Sequence, residues 1–204
     1  MARNPSIILI SGSSHVGKTT LAKRLGQTLD WPLISTDDLA RHPGRPWPQV
    51  RDPVAEFYSR LSPETIHWFL KVHHENMWPN IKRLIDDTLR SKGRVIVEGS
   101  ALRPEYAATC VSDQVVAVCL YAQPEVLRDR MRSESDYAQA EKPRIEIIDS
   151  FIDRSLRDNA EIRTAAETHG LRSVDASEPA AASALFDELV SLATVHGLEL
   201  FQPD

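Results

Sequence analysis

The stretch that decides the fold is Ile10 to Leu25, ISGSSHVGKTTLAKRL, in which two glycines, a lysine and two threonines separate an apolar run from an amphipathic one. Ser6 to Ser11, leading into it, is a mainly apolar run bounded by glycine, the pattern of a strand buried on both faces of a parallel sheet. Beyond it, Leu21, Ala22, Leu25 and Leu29 recur at helical spacing, so Lys18 to Leu29 reads as a helix. Gly12 to Thr19 fits the pattern G-x-x-x-x-G-K-S/T in the strand-turn-helix setting that the motif requires. Gly12 and Gly17 permit backbone angles that other residues resist, so the amides of Ser13, Ser14, His15 and Val16 can turn inward around phosphate oxygens at the positive end of the helix. His15 and Val16 occupy free positions of the motif, with no side-chain role of their own. Lys18 is placed to reach the β- and γ-phosphates, Thr19 to give a hydroxyl to Mg²⁺, and Thr20 to donate to the α-phosphate. ATP with Mg²⁺ is the expected ligand.

Working outward, Pro32 to Thr36, Arg94 to Gly99, Gln114 to Ala122 and Leu171 to Ala176 repeat the strand signature between helical stretches. Five strands alternating with helices predict a doubly wound α/β fold. The apolar stripe from Ile66 to Leu89 predicts one helix, started by Ser62 and Pro63 and ended by Gly93, with Pro79 kinking or splitting it. Residues 41–53 hold four prolines and a glycine and read as a stiff loop. Residues 134–144 read as a flexible surface segment, and Arg144 to Thr168 as a long amphipathic helix in which Arg154, Arg157 and Asn159 are expected on a solvated face, the active cleft being the alternative.

At 204 residues, 42% of them hydrophobic and 26% charged, the chain suits one globular domain spanning 1–204. A formal net charge of -5 argues against nucleic acid as the partner. Cys110 and Cys119 lack metal-ligand spacing and read as buried thiols of a reducing cytoplasm. The apolar run near the N-terminus is too short for a signal peptide or a membrane span. His67, His73, His74 and Glu75 lack the H-E-x-x-H spacing and read as helix-surface or pocket-lining groups.

Two further strands end in acid. Asp37 and Asp38 lie just past the second, where ligands collect in open α/β sheets, and Asp37 is the first choice for the carboxylate that accepts or orients an acceptor proton. Glu98 closes the third strand, where it would hold Mg²⁺ or touch the acceptor. Arg41, His42, Arg45 and Arg51 offer cations nearby, and Trp47 either lines the acceptor pocket or pins the loop.

With the phosphate loop, TDD at Thr36 to Asp38 and VEG at Val97 to Gly99, the chain resembles the P-loop small-molecule kinases, a broad group that includes shikimate, gluconate, chloramphenicol and nucleoside monophosphate kinases and the zeta-toxin-like proteins. The resemblance implies a three-layer fold with a five-stranded parallel sheet in the order 2-3-1-4-5, an acceptor-binding region over about 38–80 and a lid over about 128–144. Such kinases commonly carry Leu-x-x-Arg-x-x-x-Arg after the fourth strand. Leu127 and Arg130 match its first half, Glu134 stands at the second arginine, and Arg132, Arg128, Lys142 and Arg144 are the cations near enough to substitute. Asp175, Ala176 and Ser177 lie where the group wraps the adenine edge.

The expected activity is ATP-dependent phosphoryl transfer to the hydroxyl of a small molecule, with Lys18, Asp37 and Arg130 as catalytic groups. Asp37, Asp38, Arg41, Glu98 and Arg132 are expected to meet the acceptor, and Thr19 and Glu98 the metal. A nucleoside or nucleotide kinase, or an ATP-hydrolysing regulatory or binding protein without an acceptor, are the alternatives. The sequence fixes no subunit number.

Overall fold

Strand β1, Ile7–Gly12, is buried at every residue because both of its faces are covered: Ile8 and Ile10 join one apolar cluster, Ile7 and Leu9 another on the opposite side of the sheet. The computed structural model describes residues 5–41 and 43–194. Helix α1 (Lys18–Leu29) is followed by β2 (Leu33–Ser35), α2 (Asp52–Arg60), α3 (Pro63–Arg90), β3 (Val95–Glu98) and the short α4 (Pro104–Ala107). Then come β4 (Val115–Tyr121), α5 (Pro124–Glu134), α6 (Lys142–Thr168), β5 (Arg172–Asp175) and α7 (Pro179–Thr194).

The five strands are parallel, in the order β2-β3-β1-β4-β5, so the expected topology is the one found. Leu25 of α1, Ile148 and Ile152 of α6 and Leu185 of α7 pack on one face; Ile81 and Ile85 of α3 and Leu102 pack on the other. Strands β2 and β3 lie to one side of β1, β4 and β5 to the other, so a crevice opens beyond the carboxyl end of β1.

Two expectations about helices are refined. Of the kink or split expected at Pro79, the split does not occur: α3 runs unbroken through it. Pro79 and Glu75, whose carbonyl the ring deprives of a partner, are both exposed, so water can satisfy the freed group. The start of α3 follows the sequence reading, with the Ser62 hydroxyl accepting from the Thr65 amide at 3.2 Å. The loop from 41 is shorter than read, because α2 begins at Asp52 with Pro53 in its first turn, where a missing N–H costs nothing. Cys119 is buried in β4, whereas Cys110, expected to be buried too, ends a single helical turn after α4 and is only partly buried; neither is in a disulfide. Among the described residues, no helix is long and apolar enough to cross a membrane.

Candidate active site

The turn between β1 and α1 curls through three residues of positive φ: Gly12 (143°), His15 (64°) and Gly17 (97°). A Cβ on Gly12 would meet the Leu120 carbonyl oxygen at 2.4 Å, so only glycine lets β1 leave the sheet here. Ser13 and Val16 are fully enclosed, Val16 in the apolar core, and they anchor the loop from below. The Lys18 ammonium donates to the Ser13 carbonyl at 2.7 Å. Its burial pushes its pKa down, against the opposing pull of Glu98, Asp37 and Asp158.

Thr19, at the start of α1, donates its hydroxyl to Glu98 Oε1 at 3.1 Å, joining the loop to the end of β3. Glu98 is 3% exposed. A hydroxyl and a carboxylate, both hard oxygen donors, fit Mg²⁺, which takes one or two protein oxygens and completes its shell with phosphate and water. Among the described residues there is no group of three or more His, Cys, Asp or Glu able to hold a metal.

Asp37 sits in a single turn of helix over Thr36–Asp38, capped by the Ser35 hydroxyl, which accepts from the Asp37 amide at 3.4 Å. It borders the same cavity as Lys18, Thr19, Thr20 and Glu98, about 920 Å³ in volume. Gly99 explains how β2 and β3 bring their acidic ends this close: its φ is 151°, and a Cβ there would lie 1.7 Å from the Thr36 hydroxyl.

Arg130 donates to the His15 carbonyl at 3.0 Å and to the Ala176 carbonyl at 3.1 Å, tying α5 to the phosphate loop and to the turn after β5. Ala176 borders the cavity. Asp175 and Ser177, the neighbours expected with it at the adenine edge, turn to Gln123 instead: the Asp175 carboxylate accepts from the Gln123 side-chain amide and the Ser177 hydroxyl from the Gln123 backbone N–H.

Glu134, at the position of the second arginine in the lid pattern, faces the cavity and pairs with two groups from other parts of the chain. It meets the Arg45 guanidinium, and its Oε2 lies 2.8 Å from His15 Nε2. Its partial burial works against its charge, but Arg45 and His15 hold its carboxyl below the usual range. Burial, aided by Arg45, pushes the His15 imidazole down to about 4, so it is neutral near pH 7. The His15 side chain therefore has a structural task, contrary to expectation. Trp47 pins the loop: it is buried, with its ring 4.8 Å from that of Phe151, and does not border the cavity.

Three of the residues expected at the acceptor stand elsewhere. Asp38 and Arg41 are exposed outside the cavity, and His42 lies outside the described residues. Arg132 turns away onto the Tyr137 ring, 4.5 Å from its centroid, because Arg130 and Glu134 occupy the cavity face of α5 and a residue two positions from each points the other way. Of the alternative cations, Arg144 donates to the Ser135 and Pro48 carbonyls.

The floor carries a residue that the sequence reading missed. Asp158 of α6 borders the cavity at 2% exposure and accepts from Arg103 Nη1 at 2.9 Å. Arg103, equally buried, also donates to Glu105 at 2.7 Å. Arg154 borders the cavity from the same helix, whereas Arg157 pairs with Glu161 on the surface and Asn159 is bonded to the Ala122 backbone. Phe151, Arg154 and Asp158 stand three and four residues apart, and that spacing was the available signal of a shared face. His73 and His74 also border the cavity, with His74 Nε2 3.2 Å from the Ser100 hydroxyl; burial keeps the His74 imidazole well below its ordinary pKa.

Residues 8–149 match a family described as AAA domain. Among solved structures, the chain is similar to a gluconokinase from Sinorhizobium meliloti 1021 (19% identity, 99% of both chains covered, TM-score 0.50). It is similar also to a shikimate kinase from Bacteroides thetaiotaomicron (18%, 91% of this chain and 97% of that one, TM-score 0.50). A sugar kinase from Janibacter sp. HTCC2649 shares 15% identity over 94% and 96% of the two chains, with a TM-score of 0.55. No curated protein matches the sequence. The fold of these kinases and the loop from Gly12 to Thr19 agree with the family match: the chain belongs to the AAA domain family, with the architecture of a P-loop small-molecule kinase.

Proposed function

We propose that this chain is an ATP-dependent phosphotransferase that moves the γ-phosphoryl group to a hydroxyl of a small molecule. One observation carries the reading: Lys18, the Thr19–Glu98 pair and Asp37 border a single cavity that runs on past them between α2, α3 and α6, with room for a second substrate. In the reaction, the acceptor oxygen bonds to the γ-phosphorus as the bond from that phosphorus to the β–γ bridging oxygen breaks. ADP leaves, and the hydroxyl proton passes to Asp37. Lys18 stabilises the charge that grows on the transferring oxygens, and Arg130 holds the wall beside the nucleotide. Mg²⁺ supplies charge neutralisation when bound with the triphosphate, and Thr19 and Glu98 are the residues to hold it.

The arginines favour an alcohol over a nucleoside monophosphate as acceptor. Of Arg41, Arg45 and Arg51, only Arg45 reaches the cavity, and Glu134 already pairs with it; Arg51 donates to the Pro43 carbonyl instead. The free thiols of Cys110 and Cys119 suit a reducing compartment, and we place the protein in the cytoplasm.

ADP release measured across a panel of acceptors tests the reading. Asp37→Asn is expected to lower acceptor-dependent kcat by about 100-fold or more while ATP still binds. Wild-type turnover in that variant removes Asp37 as the base.

A further inference from the structure

Beyond Asp37 the cavity changes character. Helix α2 lines it with Phe57 and Tyr58, α3 with Ile66, Phe69, Leu70 and Met77 and with the imidazoles of His73 and His74 between them, and α6 with Phe151. The rings form a connected wall: Phe57 lies 5.3 Å from Phe69 and 5.0 Å from Tyr58, and Tyr58 lies 5.7 Å from Phe151, all edge to face. Tyr58 adds no free polar group, because its hydroxyl donates to the Gly44 carbonyl at 3.3 Å. Burial also keeps that phenol protonated, by raising its pKa.

One cation enters this wall. The Arg154 guanidinium lies over the Phe151 ring, 4.5 Å from its centroid, and donates from Nη2 to the Ser155 hydroxyl at 3.0 Å. Its buried Nε has no hydrogen-bond partner, and among the described residues no carboxylate lies at ion-pair distance from it. A buried donor without an acceptor is costly unless something else supplies one, and a planar guanidinium matches a carboxylate.

Resting on the phosphotransferase reading, we infer that the acceptor is an alcohol with an apolar body of about one ring, packed against Phe57, Phe69 and Phe151, and with one carboxylate held by Arg154. A polyol fits this wall less well than a ring, because the hydroxyls on its Phe57, Phe69 and Phe151 side would lose water and meet carbon. At this wall, among the described residues, a phosphate monoester, doubly charged, would find one arginine without a carboxylate partner. The transfer itself is the one given above: the hydroxyl of this acid attacks the γ-phosphorus, ADP leaves, and the products are the phosphate ester, ADP and a proton.

The test measures ADP release from ATP and Mg²⁺ with phenyllactate, mandelate, benzyl alcohol, gluconate and shikimate. Phenyllactate or mandelate is expected to exceed gluconate and shikimate in kcat/KM by about tenfold or more. Arg154→Met, which keeps the packing on Phe151, is expected to raise KM for mandelate about tenfold, with little change for benzyl alcohol. Phe69→Asp, at the rim of the cavity, is expected to weaken both aromatic alcohols. Preference for gluconate or shikimate overturns the acceptor class and leaves phosphoryl transfer standing. An unchanged mandelate-to-benzyl-alcohol ratio in Arg154→Met overturns the carboxylate site. Calorimetry with a non-hydrolysable ATP analogue separates the two readings: mandelate binding without ADP release upholds the pocket and overturns the transfer, and absence of mandelate binding overturns the pocket alone.

Discussion

The Thr19 hydroxyl donates to Glu98 Oε1 at 3.1 Å, so the helix that follows the phosphate loop and the strand two places on in the chain meet at one pair of oxygens. Substitution at either end should uncouple nucleotide binding from turnover. Glu98→Gln is expected to lower kcat by about 100-fold, with a higher magnesium requirement and nearly unchanged ATP affinity. Chelation by EDTA should abolish ADP release in the wild type, and added Mg²⁺ should restore it. Titration of ADP release against Mg²⁺ checks both outcomes.

The buried pair of Arg103 and Asp158 sits under the cavity, each 2% exposed. Removing Asp158 takes one of the two carboxylate bonds from the enclosed Arg103 and leaves Glu105, so Asp158→Ala should destabilise the protein by about 1–3 kcal/mol in urea unfolding. Replacing both, with Arg103→Met and Asp158→Leu together, should cost less than the single change. A double variant less stable than Asp158→Ala would show that the two charges are not coupled in this way.

His15 carries a pH signature. Its imidazole is held at about 4 in the folded chain, chiefly by burial and by Arg45, against the attraction of Glu134; the ordinary value is 6.5. Between those values the unfolded chain binds the proton and the folded chain does not, so stability is full above pH 6.5 and falls as pH drops toward 4. Thermal unfolding across that window should show a falling Tm, and His15→Gln should flatten that part of the curve.

Gly99→Ala should be among the most damaging small changes. The new methyl would fall on the Thr36 hydroxyl at a φ of 151°, and separating the two moves the ends of β2 and β3 apart. Strain of this kind costs about 1–3 kcal/mol before any clash is relieved. Both the Tm and acceptor-dependent kcat should fall, because Asp37 and Glu98 stand on the displaced ends. A fall in Tm with kcat unchanged would show that the carboxylates are positioned by other contacts.

The sheet was legible because β1 and β4 are buried on both faces and leave continuous apolar runs, and the strand-turn-helix setting of Gly12 to Thr19 marks the loop. Helix α2 was hidden by its own first turn: Asp52 and Pro53 close a proline-rich stretch, and proline signals loop and helix start alike. The side of the cavity next to Gly12 to Thr19 is local in the chain, because a few consecutive residues build it. Its other side is assembled from α2, α3 and α6, far apart in the chain, and single side chains there depend on helix rotation. Arg132 was expected inside and stacks on Tyr137, while Arg154 was expected in solvent and borders the cavity. The partners of Glu134 come from residues 15 and 45, a pairing that no local pattern encodes.

The contact between Lys18 and the Ser13 carbonyl has an energetic corollary. An ammonium group in open water must shed its hydration before it can grip an anion, and that dehydration weakens binding. Lys18 is half-buried once the chain folds, and that burial lowers its pKa, so part of the penalty already falls on the stability of the protein. On the proposed function, an arriving phosphate exchanges one weak dipolar partner for a full charge, in a loop already preorganised for it.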